Sequence, residues 1–254
     1  MLVFFVFASC QQTESKLEKI VFGKEEKKTS KTVVVLFDLT GSTKKYRSIA
    51  FDSFKRVLSS IGHGDVIVAA KITESSITEP EIPLQETFPE FIPLDRMGRP
   101  TDNEFLKRAA KEKADNELVD RKKKILEEIR GVFFAGDAKK TDIISSLHVA
   151  ARIFKAYRRD KSILVILSDM IEDSSVYNFE KENLTEKRIE EIIRKERHRK
   201  RIPDLRGVTV YIVPAGDLNT KRYFSVQDFW LSYFKECGAS LSKENYGPLL
   251  VFNE

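Results

Sequence analysis

The chain has 254 residues, of which 41% are hydrophobic and 33% are charged. This length fits one large domain, with or without insertions, and the apolar fraction is sufficient for a hydrophobic core. The 44 basic and 39 acidic residues nearly balance at a net charge of +5, so a mixed charged surface explains the composition and a nucleic-acid partner is not expected. Two cysteines and three histidines do not provide a structural zinc site or a disulfide framework, so a metal site would have to use oxygen ligands.

The first ten residues, MLVFFVFASC, are an apolar run followed by small residues and a cysteine. The run is far shorter than the roughly 20 residues that cross a bilayer. The pattern resembles the end of a bacterial lipoprotein signal, and this resemblance implies that Cys10 is the lipidated first residue of the mature protein. The polar residues 11–30 would then be a tether. The expected location is the periplasm or the cell surface, with membrane contact by the lipid anchor only. If residues 1–10 are a hydrophobic tail instead, a cytoplasmic protein is expected.

Apolar runs alternate with helical patterns along the rest of the chain. The runs predict buried strands at residues 32–38, 66–72, 162–169, 208–213 and 249–252. Apolar residues at three- and four-residue steps predict helices at residues 46–61, 101–130, 141–157, 184–201 and 225–236. The order predicts an α/β fold with a doubly wound, mostly parallel central sheet and helices on both faces.

Residues 75–140 are the least regular part of the predicted domain, which spans residues 31–254. Residues 75–99 are rich in proline, and residues 87–94 could form a short edge strand. The helix at 101–130 is highly charged, and we expect Thr101 or Asp102 to cap it. Its weakly apolar middle is expected to project into solvent as an insertion, and residues 131–140 are expected to form a loop.

Polar side chains follow the predicted strands at points where a parallel sheet brings them together. Asp38, Thr40 and Ser42 come directly after the first strand, Asp169 ends a later strand, and Thr141 begins the helix that leads into that later strand. Open α/β sheets bind ligands outside the carboxyl ends of their strands. Hydroxyl and carboxylate oxygens suit a hard cation such as Mg²⁺ or Mn²⁺. The alternative is a strand followed by an ordinary polar turn.

This pattern resembles the metal-ion-dependent adhesion site of von Willebrand factor type A (vWA) domains, which have a Rossmann-like fold. The adhesion-site pattern is Asp-x-Ser-x-Ser, then a Thr, then an Asp. Here residues 38–42 read DLTGS, followed by Thr141 and Asp169. Thr40 stands where the pattern most often has serine, and the loop before Thr141 lacks the glycine-rich run of many members.

The resemblance implies a role for each matching residue. Ser42 and Thr40 would bind the metal through their hydroxyls, and Asp38 and Asp169 would bind mostly through water. Thr141 would bind directly or through water. The remaining position would take an Asp or Glu carboxylate of a partner protein, so the resemblance implies a binding module and not an enzyme.

Two other functions remain open at this stage. A strand that ends in Asp-x-Thr, with a later strand that ends in Asp, also occurs in Mg²⁺-dependent phosphatases of the haloacid-dehalogenase type. Those enzymes need a second acid at the position of Thr40. The third possibility is a structural domain without metal. Asp142 and Asp173 are candidates for supporting a metal shell, although both residues could equally be capping or surface residues.

Overall fold

The computed structural model describes residues 29–74, 76–135, 138–214, 216 and 219–247. Its apolar runs form one sheet with the strand order β3-β2-β1-β4-β5. The strands are β1 (Lys31–Asp38), β2 (Val66–Ile72), β3 (Leu84–Thr87), β4 (Lys161–Ser168) and β5 (Val208–Pro214). Every pairing is parallel except the antiparallel pair of β2 and the edge strand β3. The predicted fold class is confirmed.

The sheet is covered on both faces by helices. These are α1 (Arg47–Ser59), α2 (Glu104–Phe134), α3 (Ile143–Ala156), α4 (Glu186–His198) and α5 (Thr220–Glu236), with a 3₁₀ helix at Gly41–Tyr46 before α1. One core layer lies between the sheet and α1 and α2, and the other lies between the sheet and α3, α4 and α5. Strand β1 is paired on both sides, and residues 33–37 are fully buried. This double burial explains why the run is uninterrupted by polar residues.

Helix α2 differs from its prediction at both ends. Asn103 caps it by accepting hydrogen bonds from the backbone N–H groups of Phe105 and Leu106, so the prediction of Thr101 or Asp102 as the cap was wrong. The helix also continues through residues 131–134, which were predicted to be a loop. The physical reason is Phe133, whose ring stacks on that of Phe37 with centroids 4.6 Å apart and ties the last turn to the core.

Smaller differences occur elsewhere. The edge strand β3 (Leu84–Thr87) overlaps the predicted segment 87–94 only at Thr87. Ile49 lies within the helix predicted at residues 46–61 from its apolar spacing, and its side chain is 48% exposed. Among the described residues, no helix is both long enough and apolar enough to cross a bilayer.

The predicted strand at 249–252 and Cys10 lie outside the described residues.

Candidate functional site

The turn after β1 is built around Asp38, which is only 3% exposed. Its Oδ1 atom accepts hydrogen bonds from the backbone N–H of Thr40 at 2.9 Å and from Oγ1 of Thr40 at 2.7 Å. The Thr43 hydroxyl donates to the carbonyls of Asp38 and Thr40, and the buried guanidinium of Arg47 donates to the Leu39 carbonyl at 2.7 Å. These bonds fix the turn, so the Thr40 hydroxyl has a defined position.

Ser42 connects this turn to the end of β4. Its hydroxyl donates to Oδ2 of Asp169 at 2.7 Å and lies 3.2 Å from Oγ1 of Thr40. The other carboxylate oxygen of Asp169 accepts the backbone N–H of Ile171 at 2.9 Å. Segments 127 residues apart in the chain therefore meet in one hydrogen-bonded network, as expected at the carboxyl edge of a parallel sheet.

Thr141 lies at the margin of this network. Its Oγ1 atom is 3.4 Å from Oδ2 of Asp38 and 3.4 Å from Oγ1 of Thr40, distances at which hydrogen bonds are weak. Its backbone is held more firmly, because its carbonyl accepts the N–H of Asp173 at 2.8 Å. The structure thus brings together the five predicted site residues, Asp38, Thr40, Ser42, Thr141 and Asp169.

The two supporting candidates have other roles. Asp142 caps α3: its carboxylate accepts the backbone N–H and the hydroxyl of Ser145, so both of its oxygens are engaged away from the site. The Asp173 carboxylate accepts a hydrogen bond from the Asn178 side chain at 2.9 Å. Asp173 supports the site through its backbone contact with Thr141, not through its charge.

Two residues at the site were missed from the sequence. Ser168 donates to Oδ2 of Asp38 at 2.9 Å and accepts the backbone N–H of Met170 at 3.0 Å. Gly216 follows β5 and lies against Asp169: a Cβ atom at this position would stand 2.4 Å from the Cβ of Asp169. The dipeptide Ser-Asp at the end of β4 was a usable signal for Ser168. Nothing in the sequence pattern showed the close approach of Gly216.

Burial dominates the electrostatics of the site. It raises the pKa of Asp38, although hydrogen bonds from Thr40 and Ser168 oppose the shift. Burial, followed by the nearby charge of Asp38, raises the pKa of Asp169 to about 6. Two buried carboxylates that repel each other would be stabilised by a cation between them.

The residues present fit a hard cation. The Thr40 and Ser42 hydroxyls donate their hydrogens to the Asp38 and Asp169 carboxylates, which leaves lone pairs on both hydroxyl oxygens for a metal. All the donors are oxygen atoms, as Mg²⁺ and Mn²⁺ prefer. Within the described ranges, no group of three or more His, Cys, Asp or Glu side chains could hold a metal ion, so a metal here would depend on the hydroxyls.

Comparisons with known proteins yield low similarities. No protein-family model and no curated protein matches the chain. A solved vWA structure from Catenulispora acidiphila matches 83% of this chain and 43% of its own, at 15% identity and a TM-score of 0.37. The N-terminal domains of the type V pili tip protein Mfa5 from Porphyromonas gingivalis match 57% of this chain and 20% of theirs, at 12% identity and a TM-score of 0.37. The chain thus spans less than half of either structure, and functional inference has to come from the site.

Proposed function

We propose that this protein is a metal-dependent binding module that holds Mg²⁺ or Mn²⁺ at the carboxyl ends of β1 and β4 and grips an Asp or Glu carboxylate of a partner protein. The observation that carries the proposal is the convergence of two buried carboxylates and three hydroxyls from three separate segments: Asp38, Thr40, Ser42, Thr141 and Asp169. The order of these residues along the chain and the sheet topology both agree with the vWA resemblance.

Each side chain has a role that follows from its contacts. Ser42 and Thr40 would bind the metal through their hydroxyl oxygens, while Asp38 and Asp169 accept the hydroxyl hydrogens and hold both side chains in place. Thr141, at 3.4 Å from its neighbours, is the ligand that has most room to move. A bound divalent ion with only two carboxylates around it would supply an electron-poor position for an outside carboxylate.

Hydrolysis is the less favoured function. Asp38 is only 3% exposed and both of its carboxylate oxygens accept hydrogen bonds, so neither oxygen is well placed to attack a phosphate group. Thr40 offers a hydroxyl where a phosphatase of this type needs an acid. We expect no turnover of a generic phosphate ester with Mg²⁺, and metal-dependent turnover that is lost in Asp38→Asn would establish the phosphatase instead.

The lipid anchor is part of the same proposal. The described chain enters the domain beside Ser30, which hydrogen-bonds to Asp160 and to the backbone of Lys161 at the amino ends of β1 and β4. The candidate metal site lies at the opposite edge of the sheet. A lipid on Cys10 would therefore be joined to the end of the sheet that is opposite the candidate site.

The decisive experiment is thermal unfolding of residues 25–254 in EDTA and in millimolar Mg²⁺ or Mn²⁺. A ligand that binds only the folded state at 100 times its Kd adds about 2.7 kcal/mol. We expect this gain in the wild type and in Asp52→Asn, a control at an exposed aspartate of α1, but not in Asp38→Asn or Asp169→Asn. The same melting temperature for the wild type in EDTA and in metal would mean that the site is an ordinary polar turn and does not bind metal.

A further inference from the structure

A second acidic cluster lies beside the Thr141 loop. It surrounds a small cavity of about 60 Å³ between α3, the segment after β4 and the end of α4, which we name the acidic cavity. Its charged lining consists of Asp142, Glu172, Glu196 and Arg201, and the His148 ring also lines it. Asp142 directly follows Thr141 in the chain, so the cavity adjoins the candidate metal site without sharing a side chain with it.

Glu172 contributes one unpartnered oxygen to this cluster. The residue is fully buried, and its Oε2 atom accepts the backbone N–H groups of Ile143 and Ile144 at 2.8 and 3.2 Å. These are the first N–H groups of α3, where a carboxylate is favourable. The other oxygen, Oε1, is buried and has no hydrogen-bond partner.

Glu196 contributes the second unpartnered oxygen. This residue of α4 is also fully buried. Its Oε1 atom accepts hydrogen bonds from the Tyr177 hydroxyl at 2.6 Å and from Nη2 of Arg201 at 2.5 Å. Its Oε2 atom is buried without a partner. Two carboxylates that line one cavity thus each keep one oxygen without a hydrogen-bond partner among the described residues. The nearby donors are the Ser174 hydroxyl, which opposes the rise in the pKa of Glu172, and the buried Nε of Arg201, which also has no partner.

The charges around the cavity do not balance. Three carboxylates, of Asp142, Glu172 and Glu196, line the cavity with one guanidinium, of Arg201, and one imidazole, of His148, so the acids outnumber the basic groups even when the imidazole is protonated. Burying a carboxylate without a counter-charge is costly, so such a group takes up a proton or a cation. Burial, and then the charge of Asp142, raise the pKa of Glu172 well above its ordinary value. The site is therefore short of positive charge.

The rim of the cavity differs from its floor. Ile77 and Val176, which also line the cavity, are 44% and 39% exposed. A lysine side chain fits an apolar rim above an acidic floor. Its four-carbon stem can contact the rim, and its ammonium group can reach the acids. The small volume favours a compact ammonium over the planar guanidinium of arginine.

We propose that the acidic cavity binds a lysine side chain of the partner protein, with the stem against Ile77 and Val176 and the ammonium between Glu172 and Glu196. This inference deepens the proposed function, and it rests on that function for the partner being a protein. A partner would then present a carboxylate to the metal and a lysine to this cavity, so recognition would require both charges at a fixed separation.

The test uses n-butylammonium as a lysine side-chain probe in EDTA, so that the outcome does not depend on metal. We expect saturable, millimolar chemical-shift changes at the amides of Ile143 and Ile144 in the wild type. Tetramethylammonium, which cannot donate hydrogen bonds, should cause none, and n-propylguanidinium should bind more weakly. Glu172→Gln should abolish the response, whereas Glu190→Gln, at an exposed acid of α4, should retain it.

The titration of the wild type tests the proposal without any variant, so the proposal can be overturned even when a variant fails to fold. Absence of saturable shifts in the wild type overturns it. Equal responses to n-butylammonium and tetramethylammonium reduce it to general charge screening. In a separate titration without EDTA, displacement of n-butylammonium from these amides by Mg²⁺ would reassign the cavity to a metal ion. None of these results changes the expected melting shift of the first site, so the two proposals fail separately.

Discussion

The protein buries two pairs of acids near one edge of its sheet, and the pairs are satisfied in different ways. Around Asp38 and Asp169, every carboxylate oxygen accepts a hydrogen bond from a hydroxyl or a backbone N–H. Around Glu172 and Glu196, each carboxylate keeps one oxygen without a partner. The first pair is arranged in advance by its own neighbours, whereas the second leaves room for a proton or a cation. Preorganisation of this kind reduces the cost of binding a ligand.

The largest expected effect is on the pH dependence of the free energy of unfolding, to which Glu172 of the second pair contributes. Burial raises the pKa of Glu172 in the folded state above its ordinary value of 4.5, so the protonated form is the one that folding favours. Stability from this group is complete below pH 4.5 and is lost as the pH rises toward the folded-state pKa. Relative to Glu172→Gln, the wild type should lose about 1.4 kcal/mol per pH unit in that window.

Urea unfolding of both proteins across that window measures this difference. The surrounding groups, Asp142, His148, Tyr177, Glu196 and Arg201, are present in both proteins, so their titration largely cancels. Saturating n-butylammonium should flatten the dependence, because an ammonium stabilises the ionised acid. Parallel stability curves for the two proteins would mean that Glu172 is already neutralised by a group of the chain.

A smaller loss of stability is expected when a hydrogen-bond donor to the first pair is removed. Ser168→Ala leaves Oδ2 of Asp38 with only the long contact to Thr141, and an unsatisfied buried acceptor costs about 1–3 kcal/mol. Chemical denaturation in EDTA should show this loss. Ser232→Ala, which removes a hydroxyl from the exposed side of α5, should change stability by less than about 0.5 kcal/mol. Similar values for the two variants would mean that the network around Asp38 contributes no stability.

The smallest effect on stability is expected at Ser42. Its side chain is exposed although its hydroxyl bonds to Asp169, so Ser42→Ala should cost about 0.5–1.5 kcal/mol or less in EDTA, the range for one hydrogen bond. The stabilisation by Mg²⁺ should nevertheless disappear, because the proposed metal shell would lose a ligand. Retention of the full melting shift in Mg²⁺ would exclude Ser42 from the metal shell.

The sequence was informative about the first pair because its chemistry follows strand ends. An apolar run that stops at Asp38, and another that stops at Asp169, place both acids at one sheet edge once the strands are parallel. Local spacing then adds Thr40 and Ser42. Thr141 was placed by its position at the start of a helix and by the family pattern, and its long distances of 3.4 Å agree with the weaker signal of its loop.

The second pair could not be found in this way. Glu196 stands in the basic run KERHRKR, where charge alone favours a solvated helix face, and Glu172 stands in a loop. Their meeting depends on how α4 packs against the segment after β4, which no local pattern encodes. The end of α2 was missed for the same reason, since the contact of Phe133 with Phe37 is a tertiary one.

The hydrogen bonds of the candidate metal site join residues 127 positions apart, Ser42 to Asp169, and 103 positions apart, Thr141 to Asp38. Contacts of such long range form only when most of the chain has found its topology. The site therefore cannot assemble in a fragment or in a nascent chain that lacks β4. Binding competence and completed folding become one event, and a partner that recognises the loaded site would in effect select finished molecules.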